Sequence, residues 1–205
     1  MANTNSPFGF WQRQGTGSSP TYEQTENGNG GIDYSTGATY YGDPVVRVGS
    51  GDGTITQAAG NAAGSTVTMA GIFIGCKYLS TSQKRTVWSN YWPGSDVTSA
   101  NQSSITAWIV NDPMAQFLCQ SDATGVTQGG VGANFDFNIG TGTAANGLSG
   151  AYLLHTGVVT AAYPWRLNSL VIDPPGQNGS AAGAYNWAVV AFNNVETKNA
   201  TAINT

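Results

Sequence analysis

Residues 104–121, SITAWIVNDPMAQFLCQS, hold two short apolar runs separated by Asn111, Asp112, Pro113 and Met114. Each run mixes β-branched and aromatic residues and is too short for a stable helix, and Pro113 would break one in any case. The brief link predicts two strands folded into a hairpin. Upstream, KRTVWSNYW (84–92) alternates, with Val87, Ser89 and Tyr91 on one face and Thr86, Trp88, Asn90 and Trp92 on the other. Further strands are expected after Pro44 in TYYGDPVVRVG, in GTITQAAGNAAGSTVTMAGIFIGCKYL as a short strand, a Gly-Asn turn and a long strand, and at YLLHTG, RLNSLVID and YNWAVVAFNN. Residues 123–150 have no clear pattern and read as a short helix or a long loop. Strand signals recur roughly every 10–15 residues with no long amphipathic helix between them. The expected fold is therefore all-β: one antiparallel β-sandwich or barrel-like domain with long loops.

Residues 1–38 contrast with that pattern. GTGSSPTYEQTENGNGG (15–31) is rich in turn formers, yet Phe8, Phe10, Trp11 and Tyr22 are spaced through the region. A disordered linker carries few aromatics. The reading is an extended N-terminal arm over 1–38 with anchor residues, a β domain over 39–195 and a C-terminal tail over 196–205. Fully extended, such an arm reaches on the order of 100 Å.

Charged residues make up 9% of the 205, against about 25% in ordinary soluble domains, so the polar surface is built from amides and hydroxyls. Such a surface is cheap to cover with another protein, because no strongly hydrated ion must be stripped. A net charge of −4 with seven basic residues argues against a nucleic-acid or anionic-membrane partner. The opening MANTNSPFGFW lacks a signal peptide's basic and apolar regions. Cys76 and Cys119 sit in apolar, strand-like segments, and the reading favours free thiols over a bridge.

Catalytic constellations are sparse. His155, the single histidine, lies among apolar residues. GLSGA around Ser149 lacks the spacing of a nucleophile elbow. One His and two distant Cys make no zinc site. Asp43, Asp112 and Asp173 each precede proline, a turn position more than a catalytic one. No enzyme activity, cofactor or metal is expected. RTVWSNYWPGSD (85–96) is the better functional candidate, because tryptophan beside arginine marks interaction hot spots. A core strand with its outer face under a loop is the competing reading.

In order along the chain, MANTNSPFGF, YYGDPVVRV, GIFIGCKYLSTSQKRTVWSNYWPG, AWIVNDPMAQFLCQ, GLSGAYL and LVIDPPGQNGS…NWAVVAFNN resemble a group of tailed-bacteriophage virion proteins described as capsid decoration, cement or head-stabilising proteins. The resemblance runs from residue 1 to about 195. It departs after FGF, where members often carry a more basic segment and this chain reads WQRQGTGSSP. The resemblance implies a structural virion protein on the capsid surface, assembled in the host cytoplasm. Its partners would be the major capsid protein and other copies of itself, with docking through edge-strand pairing. On that reading Phe8, Phe10, Trp11 and Tyr22 anchor the arm. Trp88 and Trp92 share one face of a strand, and Arg85 packs on an aromatic ring or pairs with a partner carboxylate. The alternative is a glycan-binding head-fibre or adhesion module.

Overall fold

The computed structural model describes residues 3–15, 23–25, 31–48, 53–60, 67–155, 161–172 and 180–198. Tyr22 and Asp173 lie outside the described residues. Within them the chain is all-β and forms two antiparallel sheets.

The first sheet contains β1 (Trp11–Gln14), β8 (Gln116–Gln120), β12 (Trp187–Phe192), β11 (Trp165–Val171), β9 (Asn134–Thr143) and β10 (Leu148–Leu154), in that spatial order. It curls back on itself. Gly9 N donates to Ala151 O at 3.2 Å, and Ser121 pairs with Leu153, so β10 returns towards the segments flanking β1 and β8. The second sheet runs β2 (Glu23–Thr25), β7 (Thr106–Val110), β5 (Gly71–Leu79), β3 (Pro44–Arg47) and β4 (Ile55–Gln57). A further strand, β6 (Thr86–Ser89), pairs with the C-terminal half of β5.

Two hydrophobic clusters fill this frame. The main one lies inside the curled sheet. At its centre Trp165 stacks between Phe10 at 4.2 Å and Phe192 at 5.1 Å, with Phe117 edge-on at 5.5 Å. Ile72 and Val110 of the second sheet close it. The second cluster covers the opposite face of that sheet. Phe73, Cys76, Tyr78, Ala107 and Ile109 pack there under Ile32, Trp92, Val97 and Ile105. Both cysteines are free and buried, one in each cluster.

Expectations about strand pairing, the 123–150 stretch and both ends of the chain are corrected by this arrangement. β7 and β8 do not pair as a hairpin; they belong to different sheets. The NDPM link is a corner, closed by Ala115 N donating to Asp112 O at 2.9 Å and Met114 N to Asp112 Oδ1 at 2.9 Å. Both strands are largely buried, with Trp108, Gln116 and Leu118 only partly covered, and apolar period alone does not tell a hairpin from a corner. The unclear stretch 123–150 does hold a short 3-10 turn at Gln128–Gly130, but also a ten-residue strand, β9, with Phe135 and Phe137 buried.

The described residues of 1–38 are not a free arm. β1 pairs with β8 and β2 with β7. Asn3 Nδ2 donates to the carbonyls of Ala181 and Ala184, both at 2.8 Å. Ile32 is buried in the second cluster. Of the expected anchors, Phe10 is buried in the main cluster, while Phe8 and Trp11 pack edge-on against Trp187 and Tyr41 of the same chain. At the other end, Glu196 pairs with Arg47 at 2.9 Å and Lys198 Nζ donates to Phe192 O at 2.8 Å, so the first residues of the expected tail are docked too.

Candidate interaction surface

The β5–β6 hairpin displays the most exposed tryptophan among the described residues. Trp88 is 67% exposed. Alternation along β7 sends Ala107 and Ile109 into the second cluster and turns Trp108 to the other face. In register, Lys77 of β5 faces Trp88 of β6, and Gly75 faces Trp108 of β7. The two indoles are attached to strands on opposite sides of β5. Because Gly75 has no side chain, they lean over β5 and stack at 5.3 Å with their planes 14° apart. Lys77 Nζ lies 5.5 Å from the Trp88 ring centre, within cation–π range.

The hairpin tip adds Lys84 and Arg85. Arg85 donates through Nε and Nη2 to Gln83 Oε1 at 3.0 and 2.8 Å, and among the described residues it meets neither an aromatic ring nor a carboxylate. Lys84 adopts a left-handed backbone, φ 55°, and is exposed. Asp96 fixes that turn by accepting from Ser80 Oγ at 2.5 Å and Ser82 N at 2.9 Å. Partial burial pushes the Asp96 carboxyl up, but hydrogen bonds from Ser80, Ser82 and Thr81 together outweigh it and hold it below the ordinary carboxylate value. Lys77, Lys84 and Arg85 are three of only seven basic residues. None of the three has a carboxylate partner among the described residues.

The expected site residues separate into distinct groups. Trp88 and Arg85 are on the surface together, whereas Trp92 is fully buried, edge-on to Tyr78 at 5.2 Å. β6 ends at Ser89, so strict alternation does not continue to residue 92, and Trp88 and Trp92 do not share a face. Phe10 is a core residue. Trp11, 41% exposed, donates through Nε1 to Phe8 O at 2.8 Å and meets Tyr41 edge-on, while Phe8 packs edge-on against Trp187. Phe8 and Trp11 therefore form a separate aromatic patch along the β1 edge. Trp108 and Lys77 were not singled out by sequence. The signal available was the i, i+2 alternation of Thr106, Trp108 and Val110 opposite a glycine.

The hydroxyl–carboxylate pair nearest to a catalytic arrangement among the described residues is structural. Ser149 Oγ donates to Asp43 Oδ1 at 2.5 Å, but both are buried, and Asp43 also accepts from Tyr40 N and Gln57 Nε2, each at 2.7 Å. The pair ties the loop before β3 to β10 and so joins the two sheets. His155 lies tilted against Phe135 at 5.7 Å. Among the described residues no cluster of three or more His, Cys, Asp or Glu side chains could hold a metal ion, and no helix is long and apolar enough to cross a membrane. Comparison with protein-family models, with curated proteins and with solved structures finds no match to this chain.

Proposed function

We propose that this protein is a capsid decoration protein. It binds the outside of an icosahedral phage head and stabilises it by bridging major capsid protein subunits, without catalysing a reaction. One observation carries the reading: in a chain nearly stripped of charge, an exposed Trp88 stacks on a half-buried Trp108 on the same hairpin face as Lys77, and Lys77, Lys84 and Arg85 have no carboxylate partner among the described residues. Indoles and guanidinium groups are the side chains that dominate binding energy at protein interfaces, and low charge elsewhere keeps desolvation costs small. The resemblance to phage decoration proteins points the same way. Here the attachment point is the β5–β6 hairpin, and Phe8 and Trp11 on the β1 edge offer a second contact.

The test is co-sedimentation of the purified protein with heads that lack it. A few hundred copies per particle are expected, and Trp88→Ala should weaken binding by about tenfold or more, the loss of a hot spot. About a dozen copies, or unchanged binding by the variant, would refute this assignment.

A further inference from the structure

A cavity of about 400 Å³ lies elsewhere on the molecule, with walls from Asn5, the turn 121–124, Tyr152 of β10 and Tyr185. Its size falls in the range of small-ligand pockets. Several of its groups have spare hydrogen-bonding capacity. The Asn5 amide, the Thr124 hydroxyl and the Tyr185 phenol make no side-chain hydrogen bond among the described residues. The Tyr152 phenol accepts from Asn138 Nδ2 at 3.1 Å, which leaves its proton to donate. Asp122 is fixed, with Oδ1 accepting from Thr124 N at 2.9 Å and Gly125 N at 3.1 Å, and Oδ2 from His155 N at 2.9 Å. One lone pair on Oδ2 stays open. Among the described residues no lysine or arginine lines the cavity.

These walls are held from behind. The buried Gln120 amide donates to Thr4 O at 2.9 Å and Tyr185 O at 3.1 Å, and accepts from Ser6 N at 2.9 Å. Asn186, fully buried, accepts from Ser121 Oγ at 2.7 Å and donates to Val126 O at 2.8 Å. Tyr185 occupies the left-handed region, φ 56°, which is costly for a bulky side chain. Its N–H donates to Asp122 O at 2.9 Å while its carbonyl takes the Gln120 bond, so the strained backbone is clamped from both sides. Strain of this kind persists where surrounding contacts over-determine it, and it concentrates at ligand sites.

We propose that this cavity binds a single neutral saccharide unit. A pyranose presents apolar C–H faces to aromatic rings and hydroxyls to carboxylate, amide and phenol groups, which is the mixture gathered here. The Asp122 carboxylate, with no cation among the described lining residues, disfavours phosphates and carboxylates. The site shares no residue with the β5–β6 hairpin, so it does not depend on the capsid-binding reading. The test is an NMR titration of the full ¹⁵N-labelled chain with glucose, galactose, mannose and N-acetylglucosamine, with inorganic phosphate as the contrasting probe. At least one sugar should give saturable shifts centred on Asp122, Thr124, Tyr152 and Tyr185, with millimolar affinity. Tyr185→Phe, which keeps the ring, and Asn5→Ala, at an exposed position, should each weaken it roughly three- to tenfold, while Trp88→Ala leaves it unchanged. Four results would overturn the proposal: no saturable shift with any sugar, shifts centred on Trp88, phosphate competing at the cavity, or both cavity variants binding as tightly as the parent. Capsid co-sedimentation is read separately, so either conclusion can fail alone.

Discussion

Two tryptophans four positions apart do different work, and substitution should separate them. Trp88→Ala removes one stack and one cation–π contact from an exposed ring, a loss of about 1 kcal/mol. Trp92→Ala empties a fully buried site, at a cost of about 3–5 kcal/mol. Trp92→Phe should fall between them, because the buried Nε1 has no partner to lose. Chemical denaturation of the three variants gives this order; equal midpoints for Trp88→Ala and Trp92→Ala would contradict it. Asp43 yields a prediction in pH. Burial pushes its carboxyl above the ordinary value of 3.8, against the hydrogen bonds from Ser149, Tyr40 and Gln57. The folded chain therefore holds this proton more tightly than the unfolded chain. The stability it contributes is full below 3.8 and is lost as pH rises through the raised value. Asp43→Asn does not titrate, so its stability relative to the parent should improve as pH rises from about 3.5 to 7. Urea denaturation across that interval would count against the assignment if the difference were flat or reversed.

At the scale of elements, the N-terminal segment is the sharpest case. Phe10 stacks on Trp165 in the main cluster, and β1 adds an edge to the first sheet. Phe10→Ala should therefore lower stability by about 3–5 kcal/mol in the isolated protein, as a core truncation does. A free arm would register no change in the denaturation midpoint. The sequence carried the anchors but not their target, since spaced aromatics in a Gly-rich segment look alike whether they dock on a neighbour or on their own domain. Most strands were legible because β-branched and aromatic residues alternate in them. The period-two signal of β9 was also present, in Phe135, Phe137 and Ile139, but the glycines at 140 and 142 and the polar residues between blurred it. Which strands pair was not legible. The β7–β8 corner depends on one aspartate capping a turn and on which cluster each face meets, and neither is a local property. The exposed half of the candidate surface was readable from Arg85 and Trp88, whereas Trp108 joined it only through the Gly75 register and Trp92 left it where β6 stops.

For the whole molecule, the issue is whether two hydrophobic clusters make one cooperative body. They share a sheet: β5 sends Ile72 into the main cluster and Phe73 into the second. The Asp43–Ser149 bond crosses between the sheets, and Phe73 N donates to Asp43 O at 2.9 Å. Common strands and buried polar ties couple the two clusters, and a protein proposed to clamp adjacent subunits has to carry load across both. The two cysteines report on this directly. Burial pushes the Cys76 thiol up to about 12 and raises Cys119 as well, so neither supplies thiolate near pH 8 while the fold is closed. Labelling with a thiol reagent along a urea series, with Cys76→Ala and Cys119→Ala to assign the signals, should give coincident midpoints for the two sites. If Cys76 reacted in native buffer at least tenfold faster than Cys119, the second cluster would be opening independently. The β5–β6 hairpin would then stand on a separately yielding layer, poorly suited to transmit force to the curled sheet.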